Sequence, residues 1–380
     1  EPLPRAAAKS ELEETEQALS EPTILDTLPN DPDHVLVVND IGANQGDVYK
    51  VDVKSGRAQR VQRADDQTAG YVTDLEGTLR ARTRLDVDTD KGSYIATELR
   101  NPDSGAWEEH FRTYAKTRDE IAVAGFSRDP NIAYVLGNVG RDKTALFEYD
   151  VRARKLGEVV FEHKFFDVTG IRVERVKGER FGEIIAFTYA GPTGDDWYYV
   201  SDWWRNLDKQ LAAGFGISEE PVQFVDPATG NLARTAQRVG RDWHVVNSSL
   251  DHQLMVLAVE SPTEPLAYYL LRDQKALTLL SNTYPKIDPA AIGSARLVYY
   301  KARDGLDIPA FLHTPNPALC GNGPWPTVIH PHGGPWARDD LAFDYSMWVP
   351  LLVSRCRAVL QPQYRGSAGW GAHLWFAGDE

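Results

Sequence analysis

Apolar and polar residues alternate over short segments from about residue 30 to about residue 285. Val, Ile, Tyr, Phe and Trp fill many of the apolar places, and a two-residue period of such side chains predicts β-strands with one buried face. Motifs typical of tight turns, such as DLEG, NPDSG, DPATG and SPTEP, separate the alternating segments. The pattern therefore predicts a chain built mainly from short β-hairpins.

The hairpin pattern repeats along the chain in a constant register. NDPDHVLVVN (30–39) resembles RDPNIAYVLGN (128–138), and VYKVDVKSGR (48–57) resembles LFEYDVRARK (146–155). One offset of 98 residues relates both pairs (128 − 30 and 146 − 48). A third copy, in SLDHQLMVLAV and YYLLRDQKAL, follows the second by 122 residues in both halves (251 − 129 and 268 − 146). Chance similarity would not keep one offset across two strands, so these segments are internal repeats.

The repeat length favours a β-propeller. An offset of 98 residues equals about two units of ~40–50 residues, the size of a four-stranded blade. The larger offset implies an insertion, which we expect at residues 191–216, where the alternation gives way to a polar, helix-compatible stretch from near Asp202. Residues 1–285 are thus predicted to form a propeller, which need not be complete, with room for roughly six blades. A solenoid of β-hairpins is the rival architecture.

The pattern changes after residue 285. Residues 295–315 predict two strands joined by a turn at Asp304 and Gly305. An apolar strand in PTVIHP, a long loop, a short amphipathic helix and another apolar strand follow. This order is typical of the beginning of an α/β sheet, so residues 286–380 are predicted to be the first part of a second domain. The pattern therefore predicts an all-β propeller followed by the N-terminal part of an α/β domain.

Composition and charge narrow the function. The length of 380 residues suits two domains, and the net charge of −14 (41 basic and 55 acidic residues) argues against nucleic acid or anionic membranes as partners. No apolar run approaches the ~20 residues of a membrane helix, so we expect a soluble chain, cytoplasmic or periplasmic. Cys320 and Cys356 match no zinc or redox motif, and a single disulfide stays open. Because residue 1 is Glu, we expect a processed chain or a piece of a longer one.

The stretch TVIHPHGGPWARDD (327–340) is the strongest candidate for chemistry. In an open α/β sheet, ligands bind beyond the carboxyl ends of the strands, where this turn is predicted to lie. Gly333 and Gly334 allow the backbone N–H groups after His332 to approach a substrate closely, and Pro335 fixes the exit from the turn. Such a loop can supply an oxyanion-hole donor. A strand-to-loop turn without chemistry is the alternative.

Three linked motifs carry a family resemblance. In chain order they are RDGLDIPAFLHTP (303–315), HGGPWARD (332–339) and AVLQPQYRGSAGWG (358–371). This order resembles that of the prolyl oligopeptidase family of serine peptidases. Within the family, the chain resembles the acylaminoacyl-peptidase and dipeptidyl-aminopeptidase branches most. The resemblance implies a propeller ahead of an α/β-hydrolase domain, short peptides as substrates, and no cofactor. It leaves oligomerisation open.

The resemblance assigns roles to two segments. His332, Gly333 and Gly334 would form the loop side of the oxyanion hole, and the turn at Arg365, Gly366 and Ser367 would help to shape the entrance to the active site. Ser367 is not a nucleophile candidate, because the nucleophile elbow requires G-x-S-x-G and Arg365 stands where the first Gly should be.

No G-x-S-x-G occurs among the 380 residues. In the family the Ser-Asp-His triad lies after the segment that matches RGSAGWG, so we expect the triad beyond Glu380 and none of the nine histidines to be catalytic. The chain is then the N-terminal portion of a serine peptidase of aminoacyl- or acylaminoacyl-peptide bonds, inactive alone. The alternatives are a binding or scaffold propeller with a vestigial hydrolase segment, and an esterase of the same fold.

Three weaker candidates complete the sequence hypotheses. His330 and His332 alternate onto one face and could hold a metal, but no third ligand is apparent, so a structural or substrate-side role is preferred. Glu219 and Glu220 resemble glutamates that bind a peptide amino terminus, although a solvated turn explains them better. A tryptophan cluster could be an exposed platform, but blade packing is favoured. Its members are Trp197, Trp203 and Trp204.

Overall fold

The computed structural model describes six segments of the chain: 22–39, 46–117, 119–226, 229–238, 240–334 and 336–378. The predicted role of Pro335 concerns a residue outside them. None of the helices in these segments is long and apolar enough to span a membrane.

Six antiparallel sheets occupy the described residues before 283, each formed by strands that are neighbours in sequence. The first two contain β1 (Pro22–Asp26), β2 (His34–Asn39), β3 (Val48–Asp52) and β4 (Ala58–Gln62), then β5 (Thr68–Thr73), β6 (Leu79–Asp88), β7 (Gly92–Arg100) and β8 (Trp107–Tyr114). The next two contain β9 (Ile121–Phe126), β10 (Ile132–Gly137), β11 (Ala145–Asp150) and β12 (Lys155–Phe161), then β13 (Val168–Val173), β14 (Ile184–Ala190) and β15 (Asp195–Tyr199). The last two contain β16 (Glu219–Val225) and β17 (Leu232–Arg238), then β18 (Asp242–Ser248), β19 (Leu254–Ser261), β20 (Glu264–Arg272) and β21 (Ala276–Asn282). Small antiparallel sheets in series are typical of propeller blades, and this mostly-β architecture confirms the predicted fold class.

The sequence repeats correspond to equal strand pairings. In each copy the first residue of one strand pairs with a residue 18 positions later on the next strand: His34 with Asp52, Ile132 with Asp150, and Leu254 with Arg272. In each copy the N–H one residue beyond that pair also donates to the carbonyl 20 positions earlier: Val53 to Asp33, Val151 to Asn131, and Asp273 to Gln253. The offsets of 98 and 122 residues therefore separate structurally equivalent hairpins.

The chain divides into two compact units. One comprises residues 1–162 and 170–185, and the other comprises residues 163–169 and 186–380. The predicted domain boundary at 285 lies inside the second unit and stays a prediction, as does the number of blades.

An ion pair between a buried carboxylate and a half-buried arginine joins two distant segments of the first unit. The Asp26 side chain, which is completely buried, accepts hydrogen bonds from Arg175 Nη2 at 2.6 Å, the Thr73 hydroxyl at 2.5 Å and the Leu28 N–H at 2.8 Å. These three donors replace the water that the carboxylate loses on burial, and without such partners a buried charge is strongly unfavourable. The pair links residues 149 positions apart.

Removing Arg175 should therefore destabilise the first unit. We expect Arg175→Ala to lower its free energy of unfolding by about 3 kcal/mol, because the carboxylate of Asp26 stays buried without its counter-ion. Lys177→Ala is the matched control, since the Lys177–Glu76 pair at 2.8 Å is exposed on both sides and such pairs contribute at most about 1 kcal/mol. Urea denaturation of both variants gives the comparison, and equal midpoints would contradict the prediction.

The insertion predicted within residues 191–216 contains a helix that begins where the sequence indicates. Helix α1 (Asp202–Phe215) buries Trp204, Leu207 and Leu211 on one face. It ends at Gly216, whose φ of 68° lets its N–H cap the last turn.

The last sheet contains parallel strands. Its order is β22 (Ser294–Lys301), β23 (Asp307–Thr314), β25 (Ala358–Pro362) and β24 (Thr327–Ile329), with β24 and β25 parallel and the other pairs antiparallel. A 3₁₀ turn (Pro289–Ala291) and helices α2 (Pro317–Cys320), α3 (Trp348–Ser354) and α4 (Ala372–Phe376) accompany it. Helix α3 connects the parallel strands and packs Val349 and Val353 against Val359. The described residues thus hold the opening strands of an α/β sheet rather than a complete hydrolase domain.

Candidate functional site

Both segments with sequence-predicted roles leave the mixed sheet at one edge. Strands β24 and β25 run parallel, with Thr327 opposite Ala358 and Ile329 opposite Leu360. The N–H of His330 extends the pairing by donating to the Leu360 carbonyl at 2.8 Å. Because parallel strands end at the same edge, the loop after β24 and the turn after β25 lie side by side.

His332 is bonded through both ring nitrogens. Its Nε2 lies 2.9 Å from Ser367 Oγ, and its Nδ1 lies 2.7 Å from the Gly333 carbonyl oxygen. The ring stacks on Tyr364, with 4.4 Å between centroids and 20° between planes. Since a carbonyl only accepts, we assign the proton of the neutral imidazole to Nδ1, and Nε2 then accepts from the Ser367 hydroxyl.

The turn after β25 contacts the loop after β24 through Ser367. Ser367 is completely buried, and its N–H donates to the Tyr364 carbonyl at 3.0 Å. Gly366 has a φ of 92°, and its N–H donates to Leu374 in α4 at 3.0 Å. Arg365 pairs with Asp304, and the guanidinium holds the pKa of the Asp304 carboxyl below its ordinary value. In this arrangement the side chain of Ser367 contacts His332, whereas Arg365 contacts the hairpin between β22 and β23.

The N–H groups of Gly333 and Gly334 are without a hydrogen-bond acceptor among the described residues. Both residues are exposed. Gly334 has a φ of 136°, and a Cβ built there would lie 2.8 Å from the Trp336 nitrogen. Glycine is required at this position, whereas a Cβ at Gly333 would meet nothing within 4 Å.

Gln363 supports the loop through its side chain. It is fully buried, its N–H donates to Pro309 at 2.8 Å, and its Oε1 accepts from the Asp339 N–H at 3.1 Å. Burial raises the pKa of the Asp339 carboxyl, and the neighbouring His332 and His330 oppose this shift. The backbone of Asp339, rather than its carboxylate, therefore fastens the loop to β25.

Arg338 attaches the same loop to the 191–194 segment. Its Nη2 donates to the Gly191 carbonyl at 2.9 Å, its Nε lies 3.0 Å from Asp340 Oδ1, and its guanidinium lies 5.3 Å from the centre of the Trp370 ring. The Leu341 N–H donates to the Thr193 carbonyl at 2.6 Å. The loop thus has one anchor on the mixed sheet and one on the insertion.

Known proteins with a similar sequence or fold are peptidases. Dipeptidyl aminopeptidase BIII of Pseudoxanthomonas mexicana is 28% identical over 359 residues, which cover 92% of this chain and 47% of that protein. A solved prolyl endopeptidase matches 94% of this chain with a TM-score of 0.57 and 13% identity. Prolyl oligopeptidase B from Galerina marginata matches 93% of it with a TM-score of 0.55 and 14% identity. These proteins are prolyl oligopeptidase-family peptidases, and this chain is similar to them.

The match covers only part of these relatives. This chain spans about half of their length: 48% of the prolyl endopeptidase and 46% of the Galerina enzyme. At such low identity the structural likeness shows the shared fold alone. No family model matches the sequence.

The weaker candidates fall in different surroundings. Glu219 and Glu220 are exposed, but the prediction of a turn was wrong, because they begin β16 and pair with Arg238 and Gln237 of β17. Strand pairing overrides the polar local sequence there. In the described segments, no group of three or more His, Cys, Asp or Glu residues surrounds the His330–His332 pair in a way that could hold a metal.

The tryptophan cluster belongs largely to the packing of α1. Trp204 is 2% exposed, and its ring lies 4.9 Å from that of Trp203 and stacks with Tyr199 at 6.4 Å. Trp197 stacks on Tyr199 at 6.1 Å. These contacts favour a packing role for the cluster.

Proposed function

We propose that this chain supplies the propeller and the oxyanion-hole loop of a serine-type peptidase that hydrolyses short peptides. One observation carries the proposal: Gly333 and Gly334 are exposed, and their N–H groups donate no hydrogen bond among the described residues, on a loop anchored at the carboxyl ends of two parallel strands. A tetrahedral intermediate of acyl transfer needs such preorganised donors, because its oxygen carries a developing negative charge. The kinship with a dipeptidyl aminopeptidase supports peptides as substrates.

Aminoacyl- or acylaminoacyl-peptide bonds are the proposed scissile bonds, cleaved by Ser-Asp-His acyl transfer. The 380 residues contain no G-x-S-x-G, so the nucleophile and its partners are proposed to lie in sequence outside them. The turn at Arg365, Gly366 and Ser367 is proposed to shape the entrance, and the propeller to restrict access to short peptides.

The Ser367–His332 contact of 2.9 Å is not proposed as a catalytic dyad. Ser367 is completely buried, so its hydroxyl cannot reach a substrate carbonyl. The other nitrogen of His332 is bound to a backbone carbonyl rather than to a carboxylate that would stabilise an imidazolium. The pair is proposed to hold the loop.

The proposal is tested by comparing this chain with the longest natural reading frame that contains it. Both are assayed on chromogenic aminoacyl and acylaminoacyl amides and on p-nitrophenyl esters. We expect amide hydrolysis by the long form only, abolished by a serine-directed phosphonate. Activity in neither form would support a non-catalytic binding propeller, a preference for esters would support an esterase, and activity of the 380-residue chain would show that its nucleophile lies within it.

A further inference from the structure

One hydroxyl group contacts two successive carbonyls of the candidate loop. Tyr364 Oη lies 2.8 Å from the His332 carbonyl oxygen and 3.3 Å from that of Gly333. The Gly333 carbonyl also accepts from His332 Nδ1 at 2.7 Å. Both carbonyls are therefore directed towards the ring pair of His332 and Tyr364.

Peptide geometry converts these contacts into an orientation of the N–H groups. Among the described residues, the only cis bond precedes Pro324, so the peptide groups on either side of Gly333 are trans. A trans peptide is planar, and its C=O and N–H point in opposite directions. When the His332 and Gly333 carbonyls face Tyr364, the N–H groups of Gly333 and Gly334 must face away from it. Two neighbouring donors then face the exposed side of the loop, where both are available to an anion.

We propose that Tyr364 is a positioning residue that fixes the peptide planes of the oxyanion-hole loop through its hydroxyl group. This inference rests on the proposed function, because the donors matter only where an oxyanion forms. In this proposal Tyr364 acts through the carbonyls of His332 and Gly333, which its hydroxyl contacts, rather than on the substrate itself.

Ser367 also helps to orient the loop, but only indirectly, through His332. Its hydroxyl binds Nε2 of His332 and so favours the tautomer whose Nδ1–H can donate to the Gly333 carbonyl. The second peptide plane thus depends on a chain of contacts from Ser367 through His332 to Gly333, and the first depends directly on Tyr364.

Tyr364→Phe in the full-length protein isolates the hydroxyl group, since the stacked ring is retained. We expect kcat to fall about 10-fold to 100-fold, because misdirected donors weaken only transition-state binding. KM should stay within about twofold, because ground-state binding does not use these donors. Affinity for a boronic acid analogue of the tetrahedral intermediate should fall in parallel with kcat. Tyr300→Phe is the matched control, because Tyr300 is exposed and its hydroxyl has no hydrogen bond among the described residues.

The outcomes separate this inference from the proposed function. A wild-type long form without peptidase activity refutes the proposed function. An active wild type with unchanged kcat and analogue affinity in Tyr364→Phe overturns the positioning role, as does a loss that appears only in KM. A crystal structure of the variant reports on geometry independently of activity: rotated peptide planes at residues 332–334 support the inference, and unmoved planes contradict it.

Discussion

Gly334→Ala is expected to lower the kcat/KM of the proposed full-length peptidase by about 100-fold or more, because the proposed oxyanion hole would lose a donor. At a φ of 136° an alanine is strained, and its Cβ would lie 2.8 Å from the Trp336 nitrogen and 3.3 Å from that of Ala337. Backbone atoms cannot yield as the end of a side chain can, so the loop itself must move. The Gly334 N–H moves with it and loses its aim at the reacting oxygen.

Two further glycine variants identify the cause. Gly333→Ala should lose less activity, because its Cβ would have no neighbour within 4 Å and its φ is not positive. Gly140→Ala carries the positive-φ strain alone, with a φ of 71° and an open surrounding in the turn between β10 and β11, and should leave kcat/KM unchanged. Measuring kcat/KM for all three variants, with circular dichroism to confirm folding, shows whether the loss comes from displacing the Gly334 backbone or from positive-φ strain in general. A folded Gly334→Ala enzyme with wild-type kcat/KM would remove the loop from the mechanism.

Local signals in the sequence were sufficient for much of the fold. Repeated turns and alternating strands predicted the hairpins in register, and the loss of alternation located α1 at Asp202. The turn at Asp304 and Gly305 does join β22 and β23. Glu219 and Glu220 were misplaced because their strand is stabilised by its pairing with β17, which the local sequence does not encode.

The candidate site was predictable only in part. The motifs identified His332, Gly333 and Gly334, because glycine requirements and strand ends are local properties of a sequence. The contacts of Tyr364, Gln363 and Arg338 were missed, because they depend on the parallel pairing of β24 and β25 and on the approach of residue 191. Gln363 and Tyr364 occupy places in the family motif, which was the one available signal, but no role follows from a motif without the geometry.

The disulfide that the sequence left open spans the loop that contains His332, Gly333 and Gly334, but not the turn after β25. Cys320 ends α2, Cys356 precedes β25, and their bond links positions with a sequence separation of 36, between which lie β24, the proposed oxyanion-hole loop and α3. Linking these positions restricts the unfolded chain more than the folded one. Loop-closure entropy for this separation corresponds to about 4 kcal/mol. The double variant Cys320→Ala/Cys356→Ala should therefore lose roughly that much stability in the mixed sheet.

Urea denaturation under oxidising conditions, followed by tryptophan fluorescence, measures this loss. Dithiothreitol should shift the wild-type midpoint towards that of the double variant and should leave the double variant unchanged, which excludes a general effect of the reductant. In the full-length protein, the double variant should lose much less peptidase activity at low urea than free energy of unfolding. The reason is that the hydrogen bonds of His332, Tyr364 and Ser367 persist as long as β24 and β25 stay paired. If the double variant unfolds at the wild-type midpoint, the bond adds no stability and the strand pairing alone holds the loop. A proportionate loss of activity would instead show that the disulfide positions the proposed oxyanion-hole loop directly.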